Sequence, residues 1–308
     1  KKKKTAPSST VLTVAGANTN TDTKNYVAYL FAHHANDGSA TGFGPNGDSP
    51  VISCGSYTGN GSASGPTVDL GFEPQWILQK SATKTNTDWA IADVMRGFTA
   101  DGVYQRLRPN RNDAEGSETQ LAPTSTGFKV VGTASDVNTN GETYIYMAIR
   151  RGPLAVPDDA TKVFGIDTLD STAPGFDSNF VVDMAFERNV SGESDTRIAS
   201  RLTGETTLRT NTTGAETAAT SNSWDYMDGW FYDLSSNSSK YSWMWKRAPG
   251  YFDVVAYTGT GSARTVSHNL GVAPEMMWIK NRDASEDWIV YHKDVGATKY
   301  LMLIRADV

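Results

Sequence analysis

Tyr57-Thr58-Gly59-Asn60-Gly61-Ser62-Ala63, followed by Leu70-Gly71-Phe72-Glu73-Pro74 and Lys80, returns about two hundred residues later as Tyr257-Thr258-Gly259-Thr260-Gly261-Ser262-Ala263, Leu270-Gly271-Val272-Ala273-Pro274 and Lys280. An Asp-Trp pair follows in both places, Asp88-Trp89 and Asp287-Trp288, and each copy then reaches a glycine, Gly97 and Gly296. Repetition of a unit with no reactive cluster in it points to a modular surface or structural protein before an enzyme. In each copy the Leu-Gly-x-x-Pro phrase leads into a short apolar run, Gln75-Trp76-Ile77-Leu78-Gln79-Lys80 and Met276-Met277-Trp278-Ile279-Lys280. β-branched and aromatic residues bounded by proline and charge predict core strands of an all-β fold, built from tandem β-sandwich units of jelly-roll or lectin-like type. Gly59, Gly61, Gly259 and Gly261 read as turn formers rather than phosphate binders.

A second element closes each unit. Tyr144-Ile145-Tyr146-Met147-Ala148-Ile149-Arg150-Arg151 follows the turn Asn138-Thr139-Asn140-Gly141, and its counterparts are Tyr26-Val27-Ala28-Tyr29-Leu30-Phe31 and Tyr241-Ser242-Trp243-Met244-Trp245-Lys246-Arg247. Arg151-Gly152-Pro153 and Arg247-Ala248-Pro249 read as equivalent junctions. The expected domains are therefore 1–49, the C-terminal part of a unit with an N-terminal tail; 50–152, a complete unit; 153–248, a divergent unit; and 249–308, the N-terminal part of a further unit. Either the chain is a window on a longer repeat protein, or the two partial units complete each other by strand exchange, within a chain or between neighbours. A lone half-sandwich would expose strand edges and half a core.

The 308 residues carry a net charge of -6, which supplies no basic field for nucleic acid or anionic membranes. No apolar run approaches the roughly 20 residues that span a bilayer, so no membrane insertion is expected. The single cysteine, Cys54, cannot form an intrachain disulfide and reads as a small buried apolar residue.

His33 and His34 are adjacent and would point to opposite faces of a strand, which does not suit a shared metal. His268 and His292 have no histidine counterparts in the complete unit, so a catalytic role there is not expected. Two carboxylate arrangements fit glycan hydrolysis in principle, because that chemistry needs a pair of acids across the scissile bond. Asp183 and Glu187 lie four apart on an expected strand, and Asp225 and Asp228 sit among Trp224, Tyr226, Trp230, Phe231 and Tyr232. Aromatics at this density also build a β-sandwich core. Trp224, Asp225, Tyr226, Asp228 and Trp230 are the carbohydrate-contact candidates, with no catalytic residue, metal or cofactor assigned. Oxygen-rich loops at Asn36-Asp37-Gly38 with Pro45-Asn46-Gly47-Asp48, and at Asp283 with Glu286 and Asp287, lack the spacing of a known cation loop and read as turns.

Tyr-Val-Ala-Tyr-Leu-Phe-Ala at 26–32, Gly-Phe-Gly-Pro-Asn-Gly-Asp at 42–48, Cys-Gly-Ser-Tyr-Thr-Gly-Asn-Gly at 54–61 and Leu-Gly-Val-Ala-Pro-Glu-Met-Met-Trp-Ile-Lys at 270–280 resemble repeat domains in virion proteins of tailed phages, especially marine and cyanobacterial ones. The resemblance implies a phage structural protein on the particle surface, in a tail fibre, spike or comparable appendage, with other virion proteins as partners. It brings no catalytic residues with it. By analogy with fibres the expected assembly is a homo-oligomer, a trimer by preference, with a host-surface glycan as a further partner. The alternatives are a lectin-like carbohydrate-binding protein and a glycan-degrading tailspike.

Overall fold

The computed structural model describes residues 10–14, 19–33, 49–192, 194–231 and 239–304. The chain divides into two compact units, Lys1–Ala32 and His33–Val308. Among the described residues every regular element is a β-strand except a 3-10 turn at Ala160–Lys162. This is the all-β fold expected from the short, turn-bounded apolar runs.

The first set of strands in the larger unit is β1 (Ile52–Thr58), β2 (Thr67–Asp69), β3 (Pro74–Ser81), β4 (Ala90–Asp93), β5 (Val103–Arg106), β6 (Gly116–Thr119), β7 (Leu121–Thr124), β8 (Gly127–Val130) and β9 (Thr143–Arg150). One sheet has the order β1-β9-β3-β4, a second β2-β8-β7, and β5 and β6 form a two-stranded third. The closing strand β9 is thus central, antiparallel to both β1 and β3. Alternation along β3 turns Ile77 and Gln79 inward while Trp76, Leu78 and Lys80 stay partly exposed. The core joins the first two sheets. Tyr57, Ile77, Tyr144 and Ala148 from the first meet Val68, Leu121, Phe128 and Val130 from the second, as in a β-sandwich. Gln79 is buried without loss, because it accepts from the Tyr57 hydroxyl at 3.1 Å and donates to the Asp136 carbonyl at 3.2 Å.

The second set comprises β10 (Phe164–Thr168), β11 (Phe176–Asp177), β12 (Met184–Asn189), β13 (Arg197–Ser200), β14 (Thr206–Arg209), β15 (Thr217–Ala218), β16 (Gly229–Trp230) and β17 (Lys240–Trp245). Its sheets run β10-β17-β12-β13-β14-β15 and β11-β16. The pattern matches the first set, with β17 held between β10 and β12 as β9 is between β1 and β3. The core contact at the matched place keeps its volume with the sizes exchanged: Ile77 faces Ala148 in one, and Ala185 faces Met244 in the other.

The last set is β18 (Met276–Ile279), β19 (Ile289–His292) and β20 (Leu301–Met302), in that order in one sheet. The β18–β19 hairpin repeats the register of β3–β4: Ile77 faces Ala92, and Met277 faces Tyr291. The repeated glycines share their backbone conformation too. Gly61 and Gly261 have φ of 67 and 72°, and Gly97 and Gly296 have 90 and 87°, a region that favours glycine because a Cβ crowds the carbonyl.

In the smaller unit, residues 26–31 form no strand, contrary to the reading of them as a closing strand. Val27, Tyr29, Leu30 and Phe31 are exposed there. A strand is defined by its neighbours, and the apolar pattern alone cannot supply them. The turn before this stretch is nonetheless formed, with the Thr21 amide donating to the Tyr26 hydroxyl at 3.0 Å.

Candidate functional site

The aromatic group at 224–231 is divided between core and surface. Trp224 and Trp230 are buried and stack on each other, with centroids 5.0 Å apart and planes 22° from parallel. Their ring N–H groups are satisfied internally, Trp224 by the Gly204 carbonyl at 3.0 Å and Trp230 by the Ser242 hydroxyl at 2.9 Å. Arg201 lies over the Trp224 ring at 5.6 Å and donates to the Val182 carbonyl at 2.9 Å. Burial pushes the Arg201 pKa down to about 10, with the Asp183 charge opposing that shift. The reading of Trp224 and Trp230 as sugar-stacking residues is therefore corrected, because neither ring face reaches solvent.

Asp225 and Asp228 remain exposed and Tyr226 is half-buried. Desolvation raises the Asp225 carboxyl above its usual range, and the nearby Glu115 and Asp93 charges add to this against Arg201. The Asp228 carbonyl holds the loop by accepting from the Ser178 and Asn179 amides at 2.6 and 3.1 Å. This loop can present carboxylates to hydroxyl donors, but its two largest rings are committed to the core.

The other acid pair is consumed by ion pairs. Glu187 is buried, with Lys240 Nζ at 3.3 Å and Arg197 Nη1 at 3.9 Å. Asp183 is buried just before β12, where its two oxygens accept from the Arg151 guanidinium and from the Arg247 amide. Burial by itself would raise the Asp183 pKa, yet the Arg151 and Arg247 charges and hydrogen bonds outweigh it and hold the carboxyl below its ordinary value.

A reciprocal arrangement emerges at this point. Glu73 stands just before β3, the place that Asp183 occupies before β12, and Arg151 and Arg247 are equivalent residues after β9 and β17. Arg151 pairs with Asp183, while Arg247 pairs with Glu73 through two bonds of 2.7 and 2.6 Å. Each arginine side chain thus makes its closest pair with the carboxylate of the other sheet set, while Arg151 also lies 3.9 Å from Glu73 of its own set. Arg247 also donates to Asp253 at 2.6 Å, and Asp253 accepts from the Asn269 amide at 2.7 Å, which draws the third set into the same cluster. The adjoining crevice, lined in part by Arg150, Pro153 and Phe252, holds about 50 Å³. That is far below the roughly 300 to 1,000 Å³ of small-molecule sites. The junction fastens, and a crevice of that size does not enclose a sugar ring.

The third set is tied laterally as well. The Trp288 indole donates to the Arg209 carbonyl at 2.8 Å, and Arg282 pairs with Glu216 at 2.6 Å and Asp101 at 2.8 Å. Trp278 stacks on Phe186 at 5.6 Å with rings 2° from parallel. All four residues of β18, Met276, Met277, Trp278 and Ile279, are nonetheless exposed.

His268 and His292 serve local turns, whereas His33 reaches a residue 21 positions away. His33 Nδ1 accepts from the Cys54 amide at 3.1 Å and His268 Nδ1 from the Leu270 amide at 3.2 Å, while His292 lies 3.8 Å from Asp294. Among the described residues no group of three or more His, Cys, Asp or Glu could hold a metal ion. His34 and the loops at 36–38 and 45–48 lie outside the described residues. Cys54 is half-buried, and desolvation raises its thiol pKa, which disfavours the reactive thiolate. Sequence reading identified Arg151 and Arg247 as equivalent junction residues but missed the exchange of partners. The recurring basic residue was the available signal, and its target could not be read from it.

Residues 1–153 and 170–308 match the family described as Domain of unknown function (DUF7483), and the chain belongs to that family. No curated protein and no solved structure matches it.

Proposed function

We propose that this family member is a structural protein of a bacteriophage virion, part of a tail fibre, spike or comparable appendage, whose exposed loops contact the host surface. The observation that carries the reading is the reciprocal junction of Arg151 with Asp183 and Arg247 with Glu73. Asp183, one of the acids that a glycan-cleaving enzyme would need free, is here spent on fastening repeated sheets to one another. Two similar sandwiches held by buried, charge-assisted bonds suit a protein that carries load and spacing rather than one that turns over substrate. The resemblance of the repeated phrases to virion repeat domains points the same way.

The mechanism is non-covalent: hydroxyls, amides and carboxylates on turn-rich loops make hydrogen bonds to the surface they meet. Antibody labelling of particles by electron microscopy tests the assignment. Label on an appendage is expected; particles that lack the protein yet assemble and adsorb normally would remove it. A second reading, lectin-like recognition of a host glycan, rests on the exposed Asp225 and Asp228 with half-buried Tyr226. A glycan array with no hit above background would count against it.

A further inference from the structure

We infer that β10 is an open sheet edge on which two copies of this chain pair antiparallel about a two-fold axis, so that their six-stranded sheets join into one. The inference does not depend on the virion reading.

β10 stands at the margin of the order β10-β17-β12-β13-β14-β15. Its backbone groups alternate in direction. The Leu169 amide donates to the Lys240 carbonyl and the Lys246 amide to the Val163 carbonyl, both at 2.9 Å, so the odd-numbered residues of this stretch turn their polar groups toward β17. Phe164, Ile166 and Thr168 therefore turn theirs outward. Among the described residues no strand, backbone group or side chain pairs with them on that side. Ile166 is 56% exposed, and Thr168 is exposed as well.

The other margins of the two large sheets are closed. At β1 the Cys54 amide donates to His33 Nδ1 at 3.1 Å. At β4 Ile91 and Leu107 exchange backbone bonds of 2.9 and 3.3 Å, and β15 is only two residues long. The contrast with β1 is the sharpest, because Cys54 faces Met147 as Ile166 faces Trp243, each four residues before its junction arginine. The same place in the repeated sheet is thus capped in one set and open in the other. β10 also carries no lysine, proline or bulge, the devices that keep an edge strand from pairing.

A row of outward N–H and C=O groups is satisfied by an extended strand, and β10 is its own complement. A two-fold axis through Ile166 sets it opposite the second copy's Ile166, with Phe164 opposite Thr168 and Asp167 opposite Gly165. No like charges then face each other across the pair. The small Gly165 leaves room for the Asp167 carboxyl, which is already held by the Asp177 amide at 2.8 Å. On the outer face the apolar row Ile166, Trp243, Phe186 runs unbroken from one copy into the next.

Sedimentation of the full chain should show a concentration-dependent dimer. Ile166→Lys opposes two ammonium groups at the axis and should weaken that dimer by more than about a hundredfold. Thermal unfolding of the dilute chain should change little, because the side chain is exposed. Thr168→Pro removes an outward amide and no bond to β17, and should weaken the dimer in the same way. Cysteine reads the register. Ile166→Cys made with Cys54→Ser should oxidise to a disulfide-linked dimer, since hydrogen-bonded antiparallel partners lie about 5.5 Å apart at Cα. Thr168→Cys in the same background should not, because the two copies of that residue are offset by about 13 Å along the strands. A chain that stays monomeric at every concentration would overturn the inference. So would a dimer that survives both Ile166→Lys and Thr168→Pro, or one that cross-links equally through residue 168.

Discussion

Arg247 grips Glu73 with both arms of its guanidinium across a separation of 174 residues, and both side chains are buried. Arg151 makes the converse reach to Asp183. This exchange holds two sheet sets together where a sequence of linked beads would need only a hinge.

Arg247→Ala should destabilise the protein by about 3 to 5 kcal/mol, because it leaves the buried Glu73 carboxylate with only the more distant Arg151 guanidinium at 3.9 Å. Glu73→Gln combined with Arg247→Met should recover much of that loss. Urea unfolding monitored by tryptophan fluorescence measures both; a single-variant loss under about 1 kcal/mol would show the pair to be ornamental.

Acid should loosen the same junction. The Asp183 pKa is lower in the folded protein than its ordinary value, so its contribution is fully present above the unfolded value of about 4 and is lost as pH falls through the folded value. Stability profiles between about pH 7 and 2 should therefore slope downward on the acid side. Asp183→Asn should flatten part of that slope while lowering stability at neutral pH.

Core and surface roles at 224–230 separate by substitution. Trp230→Ala should cost about 3 to 5 kcal/mol through the cavity it leaves, and Asp225→Asn should change stability by less than about 0.5 kcal/mol. Thermal unfolding distinguishes the two, and glycan binding retained by Asp225→Asn and Asp228→Asn would dismiss this loop as a contact surface.

Glycines of the repeat should differ according to what surrounds them. Gly141→Ala meets open space at φ 78° and should cost about 1 to 2 kcal/mol of backbone strain alone. Gly59→Ala should cost more, since its Cβ would collide with the Thr139 carbonyl and the turn must move. Equal losses in a denaturant series would refute the packing argument.

Much of this architecture is legible in particular residues. The alternation in Gln75-Trp76-Ile77-Leu78-Gln79-Lys80 locates β3, and the recurring Tyr-rich runs locate β9 and β17. The same pattern at 26–31 predicts a strand that the structure does not form, because side-chain periodicity states which face is apolar and leaves the neighbouring strand unspecified. Trp224 and Asp225 show the matching limit for the site. Adjacent in the chain, they lie on opposite sides of the surface, and composition cannot say which aromatic ring is covered.

By itself the sequence determined the all-β class, the repeat, its turn glycines and the equivalence of Arg151 with Arg247, since these depend on local conformation and on comparing one stretch with another. Tertiary structure alone decided the rest: that Glu73 and Asp183 exchange arginines, that Trp224 and Trp230 are core, and that β18 keeps an exposed apolar face. Those outcomes depend on contacts between residues distant in the chain, and such contacts are selected by the geometry of the packed sheets.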